Sequence, residues 1–200
     1  MSLLVETLYV KAGKIRNLSF HQSRYRRSCK KLFGKNPDTS LKKLLTPKLP
    51  EDDVLYKCRV LYNEKVKEIT FIPYTYPEIK RLAIVRSDDV EYSFKWADRP
   101  SLDELFRQRG EADEIIIVRK GWVTDAYYYN IVFEKNGEYF TPKNPLLKGI
   151  QRAVLIRQKK IIPVMISVEN LYDYEKIHLI NAMTELGQMV VNIRQILKDG

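Results

Sequence analysis

Residues 112–133 read ADEIIIVRKGWVTDAYYYNIVF, and the reading of this stretch decides the fold. Glu114–Val118 is a continuous apolar run behind one acid, which fits a strand buried on both faces. Trp122–Thr124, Ile131–Glu134 and Glu138–Phe140 continue the sheet, and Asn136-Gly137 supplies the two-residue turn of a hairpin. Asp125 follows a strand pair of buried type and precedes three tyrosines. A carboxylate in that place is either a turn residue at the surface or the partner of a buried cation.

On the N-terminal side, Pro100-Ser101 opens a helix to about Arg109. Short strands are expected at 82–86 and 90–94. Tyr74–Pro77 breaks the pattern, and the domain boundary is placed there, giving a smaller domain 1–76 and a larger domain 77–200. Within the first, 3–10 reads as a strand, Ala12-Gly13 as a turn and Lys14–Leu18 as a returning strand. Ser19 is expected to cap a helix that Gly34 stops after Phe33. His21, Arg24 and Ser28 fall on one face of it. Pro37–Ser40 leads into a short helix at 40–45. Residues 54–62 and 66–73 flank Asn63-Glu64-Lys65 as a β-hairpin. On the C-terminal side, 150–158 reads as a helix, Pro163–Val168 as a strand, 170–174 as a turn or short helix and 176–182 as a strand. The tail 186–197 fits helix or strand. Strands interleaved with a few helices in both halves give an α/β (α+β) class with two domains.

The 200 residues carry 44% hydrophobic and 11% aromatic side chains, which excludes a disordered chain. No apolar run approaches the ~20 residues of a membrane helix, and no signal peptide opens the chain. The expectation is a soluble, cytoplasmic protein. Two cysteines, Cys29 and Cys58, support neither a disulfide scaffold nor a four-ligand zinc site, and both read as buried, reduced thiols. The net charge of +10 is concentrated at the front: residues 11–43 hold eleven basic side chains against Asp38 alone. Such a field suits a polyanionic ligand or a solvated helix face. No nucleic-acid-binding motif accompanies it, so nucleic acid is not expected as a partner.

No serine-protease, zinc-protease, Walker or dinucleotide motif is present. His21 and His178 lack ligand spacing, so no metal is expected and both read as structural. Three features remain. Lys95 stands among Tyr92, Phe94 and Trp96, a setting in which a lysine can lose its proton and become a nucleophile. Asp125 is the second. Gly149-Ile150 is the third, a helix start whose N–H groups can hold a phosphate.

Together the segments resemble the class IV aminotransferase / aminodeoxychorismate lyase family, the fold type IV pyridoxal-phosphate enzymes. VETLYVKAGKI (5–15) with LSFHQSRYRRS (18–28), YSFKWADRPSLDELF (92–106), ADEIIIVRKGWVTDAYYYNIVF, EYFTPKNPLLKGIQR (138–152) and LINAM (179–183) follow the family's motifs in order. The resemblance implies a two-domain fold with a shortened N-terminal domain and a cofactor-binding domain at 77–200. It implies that Lys95 joins pyridoxal phosphate as a Schiff base and later moves protons at the substrate carbon. Asp125 would pair with the pyridinium nitrogen. Arg24 would bind the phosphate through its planar fork. Gly149, Ile150 and Gln151 would complete the cup, and Asn181, Ala182 and Met183 would add donors. Thr7, Arg99 and Tyr129 are candidate substrate contacts, and Thr7 and Tyr129 read equally as strand residues and Arg99 as a salt-bridge partner of Asp98 or Asp103. A homodimer acting on a small amino substrate is the family's expectation.

Within the family the reaction is expected to be the lyase one. Lys95 is followed by Arg99 at the lyases' K-x-x-x-R spacing, and Pro100 stands where branched-chain enzymes tend to have Tyr. The stretch Gly121–Thr124 is also similar to lyases. The basic first domain would attract a substrate with two carboxylates. The expected activity is 4-amino-4-deoxychorismate lyase, which forms pyruvate and the folate precursor 4-aminobenzoate. The alternatives are an aminotransferase for D- or branched-chain amino acids, or a non-catalytic binding descendant of the fold.

Overall fold

A computed structural model describes residues 3–197. Among them the chain forms two compact units. One comprises the residues up to Tyr76 together with Phe94–Asp98; the other comprises Pro77–Ser93 and the residues from Arg99 onward.

The first unit contains β1 (Leu4–Lys11), β2 (Lys14–Ile15), α1 (Leu18–Phe33), α2 (Leu41–Leu45), β3 (Tyr56–Tyr62) and β4 (Val66–Pro73). The strands form an antiparallel sheet in the order β2-β1-β3-β4. Alternation along β1 turns Leu4, Leu8 and Val10 to one face, opposite Tyr62, Cys58 and Tyr56 of β3. The same alternation turns Glu6 inward, and it is fully buried. On α1 the buried positions are His21, Arg24, Tyr25, Ser28 and Cys29, the spacing of one helix stripe. Both cysteines are buried free thiols. Gly34 ends α1 at φ 73°, a left-handed turn that glycine adopts without a Cβ penalty.

The helix start differs from expectation. Asn17, not Ser19, is the cap; it adopts a left-handed conformation, and its carbonyl accepts the N–H groups of Phe20 and His21. That early start leaves only Lys14–Ile15 of the expected return strand.

The second unit contains β5 (Leu82–Arg86), α3 (Pro100–Arg107), β6 (Glu114–Arg119), β7 (Trp122–Val123), β8 (Asn130–Lys135), β9 (Glu138–Pro142), α4 (Ile150–Arg157), β10 (Ile162–Val164), β11 (Lys176–Ile180), β12 (Val190–Asn192) and β13 (Ile196–Leu197). One sheet runs β13-β5-β6-β7 and the other β10-β9-β8-β11-β12. Ile116 and Val118 of the first sheet, with Ile131, Phe133, Ile177 and Leu179 of the second, share one core. The opposite face of the second sheet offers Val132 and Ile180 to Leu155 of α4. The β8–β9 turn at Asn136-Gly137 has φ 52° and 76°, the conformation for which Asn-Gly is suited. The tail resolves as two short strands, with β13 parallel to β5. The strand expected at Pro163–Val168 stops at Val164; Ser167 instead makes an isolated bridge to Trp122.

Residues 90–94 form no strand, although Val90 and Tyr92 are buried. The backbone bends there, and the next residues hydrogen-bond to β1 and the residue before it: Val5 N–H donates to Lys95 O at 2.9 Å and Ala97 N–H to Leu3 O at 2.8 Å. These bonds place Phe94–Asp98, including Lys95, with the first unit, although the boundary read at Tyr76/Pro77 assigns them to the second.

Candidate functional site

In the first unit the nominated residues gather on β1, α1 and the Phe94–Asp98 strap. Arg24 is buried on α1 and meets Glu6 side-on: Nε donates to Oε1 at 2.7 Å and Nη2 to Oε2 at 2.6 Å. His21 Nδ1 lies 2.6 Å from Glu6 Oε2. Burial alone would raise the Glu6 pKa, but the Arg24 charge and the bonds from His21 and Arg24 overcome it and bring the pKa to about 2. Burial pushes the His21 pKa down against the pull of Glu6. A neutral His21 therefore donates its Nδ1–H to the carboxylate. Lys95 is half-buried, and its charge reaches His21. Thr7 is half-buried on β1 opposite Arg59.

In the second unit the nominated residues converge on the loop from Thr124 to Asn130. Asp125 is buried, and its Oδ2 accepts the Leu147 N–H at 2.9 Å. Its Oδ1 accepts from Asn130 Nδ2 at 2.5 Å. Burial raises the Asp125 pKa to about 7, opposed by the Leu147 N–H, the Asn130 amide, the Leu146 N–H and the Arg152 charge. Asp125 makes no ion pair with any described residue. The Leu147 contact brings this carboxylate to the segment that enters α4, which begins at Ile150 with Gly149 as its cap. Ile150 and Gln151 are buried in the first turn of that helix. Asn181 starts a tight turn: its Oδ1 accepts from Met183 N and Thr184 N at 2.8 and 3.0 Å, and its Nδ2 donates to Tyr128 O at 3.3 Å. Ala182 and Met183 are the central residues of that turn.

Arg99, the residue before α3, packs against the Thr124–Asn130 loop. Its guanidinium stacks 4.2 Å from the Tyr127 ring and 4.6 Å from the Tyr128 ring, and Nη1 donates to Tyr127 O at 3.1 Å. Neither Asp98 nor Asp103 pairs with it; Asp103 instead accepts the Tyr127 hydroxyl at 2.5 Å. Tyr129 has a different place, buried in the core between the two sheets. The rings flanking Arg99 are thus Tyr127 and Tyr128.

Residues 101–196 match the model of the amino-transferase class IV family. A Haemophilus influenzae protein, itself uncharacterized, is 37% identical over 185 residues, 92% of this chain and 98% of that one. A proposed 4-amino-4-deoxychorismate lyase from Haemophilus somnus has a crystal structure similar to this fold, with a TM-score of 0.87 and 38% identity over 93% of this chain and 98% of the other. A proposed amino-acid aminotransferase from Mesorhizobium loti shares the fold, with a TM-score of 0.83 at 18% identity over 98% of this chain and 100% of the other. The chain belongs to the class IV aminotransferase family. It is an enzyme of the kind that depends on pyridoxal phosphate.

The residues fit that cofactor on two observations. Asp125 is a buried acid with no cationic partner in contact, which suits the N–H of a pyridinium ring. Helix α4 starts on Gly149, which leaves the first-turn amides at an end of the helix suited to a phosphate.

Four polar residues of this class IV enzyme carry structural roles that the sequence reading does not assign. Glu6 anchors Arg24 and His21. Glu114, at the start of β6, accepts the N–H groups of Ile115, Tyr127 and Tyr128 and so pins the tyrosine turn. Burial raises its pKa to about 7 against those three donors. Arg152 is buried and donates to Pro142 O at 2.8 Å. Asn130 is the fourth. The signal for Glu6 is in the sequence: it lies two residues from both Leu4 and Leu8 on an alternating strand. His178 pairs with Glu134 at 2.8 Å, on the strands β11 and β8.

Proposed function

We propose that the protein is a pyridoxal-phosphate-dependent 4-amino-4-deoxychorismate lyase that forms pyruvate and 4-aminobenzoate. Arg99 carries the reading. Its guanidinium is held against two tyrosine rings, donates one hydrogen bond to a backbone carbonyl, and has no carboxylate partner among the described residues. Such a group is pre-organised to take a substrate carboxylate through paired N–H donors. It stands four residues after Lys95, the spacing that resembles the lyases. The 38% identity to the Haemophilus somnus protein, across nearly its whole length, supports the same activity.

The cofactor, when bound, supplies an electron sink conjugated to the substrate carbon. In this reading the Lys95 amine is its covalent attachment, and then takes the α proton from the amine-bearing carbon and passes it to the departing three-carbon group, which leaves as pyruvate while the ring becomes aromatic. Asp125 holds a proton at the ring nitrogen. Arg24 binds the phosphate, together with Gly149, Ile150 and Gln151 at the start of α4 and the turn Asn181-Ala182-Met183. Thr7 is a substrate contact.

The test is the visible spectrum of the purified protein with pyridoxal phosphate, followed by borohydride reduction and peptide mapping. Assays of 4-aminobenzoate release and of amine transfer to 2-oxoglutarate then run side by side. Label fixed on Lys95 with 4-aminobenzoate release is expected. Amine transfer without 4-aminobenzoate overturns the lyase reading in favour of an aminotransferase for D- or branched-chain amino acids.

A further inference from the structure

Asn130 touches three things at once. Its two Nδ2 hydrogens donate to Asp125 Oδ1 at 2.5 Å and to Leu147 O at 2.8 Å. Leu147 N–H returns to the other Asp125 oxygen at 2.9 Å. Its Oδ1 occupies the space of a side chain at position 149: a Cβ built there would overlap Oδ1 and stand 3.1 Å from Asn130 Cγ. Gly149 has φ −67° and ψ 155°, ordinary extended backbone, so the glycine is required for space and not for a left-handed turn. Asn130 is itself buried, and it is the first residue of β8, which fixes its backbone in the sheet.

We propose that Asn130 is a positioning residue that locks the Asp125 carboxylate to the start of α4. The proposal rests on the reading that Asp125 faces the cofactor's ring nitrogen and α4 its phosphate. One amide then sets the separation between the two groups that grip opposite ends of one rigid ligand. Its hydrogen bond also favours the ionised form of Asp125, the form that pairs with a pyridinium N–H. Arg152, on α4, is the charged residue whose field acts on Asp125 in the same direction. A one-residue link between both grips resists the small displacements that weaken a pre-organised site.

The experiment has a cofactor-free and a cofactor-bound arm. In the first, the Asp125 carboxyl is titrated by carbon NMR in the apoprotein, and the Asn130 side-chain amide is followed in the same samples. The Asn130 Nδ2 protons should titrate with the Asp125 pKa, and Asn130→Ala should raise that pKa by about one unit, the loss of one hydrogen bond of ordinary net strength to the carboxylate. In the second, the dissociation constant for pyridoxal phosphate should rise about tenfold in Asn130→Ala. Gly149→Ala should weaken binding at least as much, and Asn130→Ala/Gly149→Ala should bind no worse than Asn130→Ala alone, because the shortened side chain leaves room for the methyl group. Asn130 amide shifts that ignore the Asp125 titration overturn the proposal even if no variant folds. So do an unchanged Asp125 pKa in Asn130→Ala, or additive losses in the double variant. Wild-type protein that binds no pyridoxal phosphate overturns the reading of the site, while the apoprotein titration still decides the role of Asn130.

Discussion

Replacing Glu6 by Gln tests whether the first unit depends on its buried ion pair. Glu6 is fully buried, and its two oxygens accept from Arg24 Nε, Arg24 Nη2 and His21 Nδ1 at 2.6–2.7 Å. The substitution removes the charge and turns one oxygen into a donor facing other donors. Arg24, itself buried, is left without its carboxylate. Breaking such a pair from one side costs about 3–5 kcal/mol. The pKa gives an independent figure. A fall from 4.5 to about 2 corresponds, at 1.36 kcal/mol per unit, to roughly 3 kcal/mol contributed at neutral pH. The folded pKa is depressed, so this contribution is present above the unfolded pKa and is lost as pH falls toward 2. By pH 3 less than half remains. The assay is urea denaturation of the cofactor-free protein followed by tryptophan fluorescence in a Trp122→Phe background. Trp96 packs on the first unit's core and reports its unfolding. The expected result is a loss of about 3–5 kcal/mol at pH 7 that shrinks to less than half at pH 3. A loss below about 1 kcal/mol at pH 7, the size of an exposed pair, would refute the reasoning, as would a loss equal at both pH values.

Arg99→Leu should raise KM for a carboxylate substrate about 10- to 100-fold with a smaller change in kcat, since it removes charge-assisted bonds made to the bound substrate; steady-state kinetics with unchanged KM would remove Arg99 from the site. Cys29 and Cys58 should resist a thiol reagent in the native protein and both react in denaturant, because burial pushes their pKa values up to about 11 and about 12; one rapidly labelled thiol in the native protein counts against the buried placement. Against the upward slope that the lowered pKa values of His21 and His178 add over the same range, Asp125 and Glu114 should each add a downward slope to the Tm of the cofactor-free protein between about pH 4 and 7: their folded pKa values are raised, so their contribution is complete below their unfolded values and lost as pH rises through about 7. Glu114→Gln should remove its share of that downward slope, and an unchanged slope would show that Glu114 ionises as easily folded as unfolded.

The legible parts of the fold are those whose cause lies within a few residues. Asn136-Gly137 makes its turn because its own φ values permit it, and Gly34 stops α1 for the same reason. Glu114–Val118 reads as a buried strand because its length and apolarity leave little else. The stripe His21, Arg24, Ser28 is visible from helical spacing alone. What the sequence hides is set by distant partners. Residues 90–94 alternate like a strand, yet the backbone beyond them pairs with β1, some ninety residues earlier in the chain. Asn17 outcompetes Ser19 as the helix cap through backbone conformation, which residue preferences at caps do not capture. At the site, the resemblance proposes ligand contacts for Arg24, Asp125 and Gly149, which stand inside its motifs. It assigns nothing to Glu6, Asn130 or Glu114, although all three stand inside quoted motifs, because their role is to hold other residues and appears only with the contacts.

Glu6, Glu114 and Asp125 show how the two units treat buried charge differently. Glu6 has a full cation against it and two bonds from that cation, and its pKa falls to about 2. Glu114 and Asp125 have only N–H donors in contact, and burial raises both to about 7. Backbone and amide dipoles offset part of the desolvation of an anion, whereas a guanidinium in contact reverses it. Glu114 is already committed to three amides of the chain, which tie it to the tyrosine turn. Asp125 is the one poised to gain. A ligand that brings a cationic N–H to it replaces a desolvated, half-protonated acid with an ion pair, and the gain appears as affinity. Arg24 is the reverse case, because Glu6 already balances its charge. A phosphate bound there gains directed hydrogen bonds more than it gains neutralisation. On the proposed reading of the site, the grip of Asp125 on the ring nitrogen should therefore weaken at low pH, as Asp125 protonates, while the contribution of Arg24 stays constant until Glu6 itself titrates far lower.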